Sequence, residues 1–230
     1  IEKRVNDIES FAADVAHELK NPLTSLRSAS ETFIQAKNKK DQKQMIEIMF
    51  KDIDRIDRLI TDISFSSRLD ADLVRTKFEN IDLFKLLENY ISIRATKLEH
   101  KINLDQNQTD IQLIGNSNKL VQVFDNLIDN SLSIIGKNCK INIRVFSKGK
   151  KIFILFEDNG PGFPKNAINK IFDRFYTDRI NQKEFGKHSG LGLSISKQII
   201  SAHNGDIFAE NIINDDKKII GARVNIILNK

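Results

Sequence analysis

The chain has 230 residues, 40% hydrophobic and 29% charged, with a net charge of +5; at about 150 residues per domain this is one to two globular domains, not a disordered or low-complexity chain. A single Cys excludes a disulfide framework and any multi-cysteine zinc site, and it fits a reducing compartment. The longest apolar run, Ile152 to Phe156, is far short of the roughly 20 residues that span a bilayer, so neither a transmembrane helix nor a signal peptide is expected. With Ile1 in place of Met at its head, the sequence reads as a fragment of something longer.

Residues 1–70 read as two long helices. Val5, Ile8, Ala12, Val15, Leu19, Pro22, Leu26, Ala29 and Phe33 recur at alternating intervals of three and four, and Ile46, Met49, Ile53, Ile56, Ile60 and Ile63 repeat the pattern. Each series makes a narrow apolar seam. The polar stretch Lys37 to Asp41 between them predicts a loop, hence an antiparallel hairpin. Two helices leave much of each seam in water, so the hairpin is expected to form a homodimer, a four-helix bundle. Residues 71–230 alternate the two periodicities. Helices are predicted at Asp82 to Leu98, Asn118 to Ile135 and Leu191 to Ala202, with a short helical piece at Ile168 to Phe175. Strands are predicted at Lys101 to Leu104, Ile111 to Ile114, Cys139 to Phe146, Lys151 to Glu157, Asp206 to Glu210 and Ile219 to Ile227, with a turn over Ser147 to Lys150. The class is α+β: a helical hairpin, then an α/β sandwich with one mixed sheet covered by helices on one face. The long stretch from Asp158 to Ser189 reads as a functional lid.

Chemistry enters on the first helix. His17 falls away from the seam, where an imidazole is exposed, and a neutral ring nitrogen is a competent nucleophile. Glu18 could hold or deprotonate the other ring nitrogen, and Asn21, one turn on, could orient a water. Pro22 frees the carbonyl of Glu18 and predicts a kink there. A lone surface His is ordinarily inert; the second half of the chain changes that reading. Asn126 and Asn130, four apart, share a helix face and offer amide oxygens for Mg²⁺ and donors for phosphate oxygens. Asp158-Asn159-Gly160-Pro161-Gly162 follows a strand, where a carboxylate can accept from an exocyclic amine and glycines allow a planar ring to approach. Ser189-Gly190-Leu191-Gly192-Leu193 opens a helix and exposes backbone N–H groups to an anion.

His17 to Thr24 resembles the phospho-acceptor box of two-component sensor histidine kinases. Asn126 to Asn130 is similar to the family's Asn box, Asp158 to Gly162 to its first glycine box, Ile171 to Tyr176 to its Phe box, and Ser189 to Leu193 to its second glycine box. The order and spacing match over essentially the whole chain, and residues 10–30 are most similar to alphaproteobacterial envelope-stress sensors. The resemblance implies a dimerisation and histidine phosphotransfer domain over 1–70 and a Bergerat-type ATP-binding domain over 71–230. It implies that Asp158 reads the adenine amine, that Gly160 and Gly162 shape the pocket, that Gly190, Leu191 and Gly192 border it, that Asn130 coordinates Mg²⁺ and that Asn126 assists at the phosphates. Phe172 and Phe175 would anchor the lid to the bundle. His17 would attack the γ-phosphate with Glu18 as base, and the group would pass to an aspartate on a response regulator receiver domain. Asn21 would orient water for the reverse, phosphatase activity. The fragment would be the cytoplasmic part of a bacterial inner-membrane sensor, itself without direct membrane contact.

The departures concern the phosphates. Ser131 stands where Ala is common, Ser133 and Ile134 where Lys and an aromatic are common, and His188 where the second glycine box often begins with Gly. The phosphate-contacting cation is therefore open among Lys137, Arg174 and Arg179. Cys139 reads as a small buried residue, and His203, before Asn204-Gly205, as a cation suited to a helix C-terminus. A non-enzymatic relay and a chaperone- or topoisomerase-type ATPase are the competing readings; the heptad hairpin bearing His17, Glu18 and Asn21 argues against the second. A DNA-binding dimer rests on basic charge alone, with no recognition helix, so no nucleic-acid partner is expected.

Overall fold

The computed structural model describes residues 2–75, 77–95, 101–105, 110–164, 166–176 and 190–230, the side chains of 2–8, 65–75, 95 and 101 excepted. The described residues form two compact units: 2–69 with 175–176 and 190–191, and 70–174 with 192–230.

In the first unit α1 (Glu2–Gln35) runs through Pro22 as one helix, and α2 (Lys39–Arg75) follows after a three-residue connection, 36–38. The connection is shorter than expected because Asn38 caps α2. Its Oδ1 accepts the Asp41 N–H at 2.8 Å and its amide donates to the Asp41 carboxylate at 2.7 Å, so Lys39 to Asp41 form the first helical turn. Pro22, Ala29, Arg55 and Leu59 are buried between the helices. The predicted seam of α2 lies at the edge of that contact. Met49, Ile56 and Ile63 are half-buried, whereas Ile46, Ile53 and Ile60 are 38%, 50% and 51% exposed, beside Phe50 at 63%. The column facing α1 includes Asp52 and Arg55, polar residues that a search for apolar periodicity passes over.

The second unit runs β1 (Glu79–Asp82), α3 (Leu83–Ala95), β2 (Lys101–Asp105), β3 (Gln112–Gly115), α4 (Ser117–Ile135), β4 (Lys140–Lys148), β5 (Lys151–Asp158), α5 (Gly192–Ala202), β6 (Asp206–Ile213) and β7 (Ile219–Asn229). Five strands make a mixed sheet in the order β2-β4-β5-β7-β6, parallel between β2 and β4 and antiparallel elsewhere. The strand expected at Ile111 to Ile114 lies outside it, paired with β1 in a separate antiparallel ribbon. β1 had no alternation to reveal it, since Ile81 is its one apolar residue. The helix expected at Asp82 starts at Leu83, because Asp82 Oδ1 accepts the Lys85 N–H at 3.0 Å as its cap; the expected continuation to Leu98 lies outside the described residues.

The core is built by alternation. Ile141, Ile143 and Val145 of β4, Ile152, Ile154 and Phe156 of β5, and Val224, Ile226 and Leu228 of β7 are buried, along with Leu120, Val123, Phe124, Leu127 and Ile128 of α4 and Ile195, Ile199 and Ile200 of α5. The Phe124 and Phe156 rings, 5.6 Å apart, join α4 to the sheet. On the opposite sheet face Glu157 accepts from Arg144 at 2.5 Å, Arg223 at 2.7 Å and Asn142 at 3.3 Å. Burial alone would raise the Glu157 carboxyl, but these hydrogen bonds and the Arg223 charge outweigh it and hold the group below the usual range.

Two expectations are corrected here. The helical piece at Ile168 to Phe175 is a run of turns: Lys170 N–H and Ile171 N–H both reach Ala167 O, at 2.7 and 3.0 Å, and Asp173 N–H reaches Lys170 O at 2.8 Å. So short a segment does not overcome helix nucleation, and burial of Ala167, Ile171 and Phe172 fixes it instead. His203 is not a cation at a helix end. It is 6% exposed, its Nε2 accepts the Asn116 N–H at 3.0 Å and its Nδ1 lies 2.8 Å from Ile199 O. That pairing needs a neutral ring with its proton on Nδ1. Burial pushes the imidazole below its ordinary value, against the Ile199 hydrogen bond that favours the charged form.

His203 thus bolts the end of α5 to the start of α4, and the sign of its pH effect follows. A group whose folded pKa is depressed stabilises fully above its unfolded value, about 6.5 for His, and that contribution is lost as the pH falls from there toward the folded value. In thermal unfolding from pH 7 to 5, wild type is expected to lose stability more steeply than His203→Gln, which keeps a donor and an acceptor but does not titrate. Parallel curves would refute the assignment.

Candidate functional site

On the first unit His17 and Asn21 are both exposed on α1, one turn apart. Glu18 turns the other way, its Oε2 3.0 Å from Arg55 Nη2 with the side chains only 16% and 10% exposed. The carboxylate expected to serve His17 is therefore held by a guanidinium of α2. Arg55 carried no sequence signal, since a charged residue near an apolar seam looks like ordinary surface. Thr24 Oγ1 bonds back to Lys20 O at 2.8 Å, and Leu23 is 55% exposed.

On the second unit the site gathers where α4, the end of β5 and the start of α5 converge. Asn126 Nδ2 donates to Gly192 O at 2.9 Å and to Ser196 Oγ at 3.2 Å, and Ser196 Oγ donates to the same carbonyl at 2.9 Å. Asn126 thereby fastens α4 to the first residue of α5. With both N–H groups taken, its Oδ1 remains, an atom that accepts but does not donate. Asn130 follows one turn later, half-buried. Ser133 turns its hydroxyl back onto Asn130 O at 2.7 Å, so this departure from the family's usual Lys is absorbed by the α4 backbone.

Asp158 ends β5, the middle strand of the sheet. Its Oδ1 accepts the Gly160 N–H at 2.8 Å and the Ala222 N–H at 3.4 Å, and its Oδ2 accepts the Ser131 hydroxyl at 2.7 Å. Asn159 closes the turn, its Oδ1 accepting the Lys140 N–H at 2.8 Å and its Nδ2 donating to Asn138 O at 3.1 Å. Gly162 has φ 79°, and a Cβ there would lie 2.4 Å from Ile219 Cγ2 and 2.6 Å from Asn211 Oδ1, so both conformation and space demand glycine. Asn211 is a residue that sequence reasoning missed. Its Oδ1 accepts the Phe163 N–H at 2.6 Å and its Nδ2 donates to Phe163 O at 2.8 Å, tying the loop after the glycines to β6.

The remaining predicted residues are less uniform. Phe172 is buried in the second unit, while Phe175, at φ 58°, belongs to the first and stacks on Phe11 with ring centroids 6.0 Å apart. Gly190 has φ 73°, and a Cβ there would meet Phe175 Cα at 2.8 Å. Leu191 is fully buried. Ser189, His188 and Arg179 lie outside the described residues; Lys137 and Arg174 are exposed. Cys139 is buried, and burial together with the Asp158 carboxylate pushes its thiol up to about 11, which leaves it unreactive.

The donor set can be tested against the groups it would hold. Asp158 presents a carboxylate oxygen beside a glycine turn, which fits an exocyclic amine on a planar base. Among the described residues no group of three or more His, Cys, Asp or Glu could hold a metal. Asn130 instead offers one hard oxygen, the pattern of Mg²⁺, which binds through one or two protein oxygens together with substrate phosphates. Among the described residues no helix is long and apolar enough to cross a membrane.

Residues 7–72 match the family described as His Kinase A (phospho-acceptor) domain, and residues 115–229 match the histidine kinase-, DNA gyrase B- and HSP90-like ATPase family. Sensor protein ChvG of Rhizobium meliloti is 44% identical over 96% of this chain and 40% of its own length, and ChvG of Agrobacterium fabrum is 42% identical over 98% and 39%. The chain thus spans about 40% of the length of these relatives, which accord with the envelope-stress resemblance of residues 10–30. The crystal structure of histidine kinase ThkA in complex with response regulator protein TrrA shares the fold, with a TM-score of 0.74, 22% identity and coverage of 100% of this chain and 64% of that one. The order of the two matched domains, the sensor relatives and the converging Asn, Asp and Gly motifs agree: the chain belongs to the sensor histidine kinases, carrying their phospho-acceptor domain followed by their ATPase domain.

Proposed function

We propose that the protein phosphorylates itself on His17 from ATP and passes the group to an aspartate on a response regulator. The observation that carries this reading is the placement of His17, exposed on α1 one turn from exposed Asn21. A His17 ring nitrogen forms the N–P bond while the bond from the γ-phosphorus to the β,γ-bridging oxygen breaks, and ADP leaves with that electron pair. Glu18 receives the proton of the other ring nitrogen once Arg55 releases its carboxylate. Asp158 accepts from the adenine amine, the loop through Gly160 and Gly162 shapes the base pocket, and Gly190 and Gly192 border the phosphates. Asn130 would supply an oxygen to Mg²⁺, which when bound neutralises phosphate charge. Asn126 contributes by holding the start of α5 in place.

The exposed Ile46, Ile53, Ile60 and Phe50 of α2 form a column that a second copy would cover, giving a homodimeric four-helix bundle through residues 1–70. The exposed α1 face around Arg27, Ser28 and Glu31 adjoins a surface depression lined by Ala16, Leu19, Lys20, Leu23, Thr24 and Arg27; there the receiver domain docks, and Asn21 orients the water that reverses the regulator's phosphorylation. The protein's location would be the cytoplasmic side of an inner-membrane sensor.

Incubation with γ-labelled ATP and Mg²⁺ tests the reading. The expected product is a label that acid removes and base does not. Nucleotide binding without label would favour the non-enzymatic relay, for which the inward-turned Ser133 is the supporting observation.

A further inference from the structure

Ser131 is the departure with a structural consequence. An ionised carboxylate offers about four lone-pair positions on its two oxygens. At Asp158 the Gly160 and Ala222 N–H groups occupy Oδ1, and the Ser131 hydroxyl, 2.7 Å away, occupies one position on Oδ2. Both partners of that last bond are half-buried, and Ser131 sits on α4, whose position is fixed by Leu127, Ile128 and the Asn126 clamp. Together with the two N–H groups on Oδ1, the hydroxyl sets the rotation of the carboxylate about its terminal bond, and it leaves one acceptor position on Oδ2. A carboxylate held this way suits a single exocyclic N–H donor and is poorly arranged for a two-donor fork such as guanine presents.

We propose that Ser131 is a positioning residue for the nucleotide base, orienting Asp158 Oδ2 toward the six-amino group of adenine. The proposal rests on the assignment of Asp158 as the adenine reader. With Ala at 131 the carboxylate gains a second open position on Oδ2 and keeps only the Gly160 and Ala222 bonds to Oδ1 as rotational constraint, so part of the binding free energy goes into re-ordering Oδ2.

The test pairs a change in the protein with a matching change in the ligand. Binding of ATP and of purine riboside triphosphate, which lacks the six-amino group, is measured by calorimetry on wild type, Ser131→Ala and Ser131→Thr. Ala is the better helix former inside α4, so the variant folds. The expected result is that Ser131→Ala weakens ATP about 5- to 10-fold, one net hydrogen bond, but the purine analogue less than about 2-fold. Ser131→Thr, which keeps the hydroxyl, is expected to restore ATP binding to within about 2-fold of wild type. In the labelling assay KM for ATP rises with kcat unchanged. Equal weakening of both nucleotides would mean that Ser131 only shapes the pocket, and no weakening of ATP would mean that the hydroxyl is idle; either overturns the proposal. Asp158→Ala keeps the two failures apart. If that variant binds ATP as wild type does, the assignment of Asp158 itself is wrong; if it does not, a flat Ser131→Ala result counts against Ser131 alone.

Discussion

Replacing His17 by Ala is expected to reduce incorporation of label from γ-labelled ATP to background, a drop of at least about a thousandfold, with ATP affinity unchanged. The size follows from the chemistry: without the nucleophile the N–P bond has no acceptor atom, and positioning and charge neutralisation cannot substitute for it. His17 is exposed, so its removal leaves no cavity, and the unfolding temperature is expected to stay within about a degree of wild type. Persisting acid-labile label in this variant would move the phosphorylation to another residue and overturn the assignment. A loss of label accompanied by a loss of ATP binding would point to a structural defect instead.

Asp158→Ala is expected to weaken ATP on the order of a hundredfold. Two losses combine. The base loses a charge-assisted acceptor, worth roughly 1.5–3 kcal/mol. The Gly160 N–H and the Ser131 hydroxyl also lose their shared partner, so the glycine turn that shapes the pocket is no longer tied to the end of β5. Calorimetric titration with ATP measures the effect, and sedimentation checks that the self-association proposed for residues 1–70 is unaltered. Unchanged affinity would remove the carboxylate from the nucleotide site, and altered self-association would show that structure had been mistaken for recognition.

What could be read from the sequence was whatever is local. The hairpin followed from intervals of three and four, and the sheet from alternation in Lys151 to Glu157 and its neighbours. The glycine turn after β5 and the Asn pair on α4 showed because a motif packs its chemistry into a few consecutive positions. Long-range polar pairs did not show. Ser131 and Asp158 are 27 positions apart, Asn211 and Phe163 are 48, and His203 and Asn116 are 87. No periodicity announces such a bond, because the fold alone brings its partners together. The same limit explains His203. Its place at a helix end suggested a charged cap, whereas burial against Asn116 and Phe78 decides its protonation. It also explains Arg55, whose partner Glu18 lies on the other helix of the hairpin.

The position of Asp158 at the end of the central strand has a consequence for the order in which the ATPase domain opens. Amide hydrogens in the middle of a sheet exchange by near-global unfolding, while those of loops exchange through small local openings. The half of the site proposed to read the base, on β5 and α4, therefore belongs to the slowest-exchanging part of the domain. The stretch of turns from Ala167 to Asp173 has Ala167, Ile171 and Phe172 buried but few backbone bonds, so its amides exchange through smaller openings than those of β5. Bound nucleotide is then expected to slow exchange chiefly in those turns and at the start of α5, leaving β5 nearly as protected as before. The protein would meet its nucleotide with the base socket already rigid and the phosphate end still to be ordered.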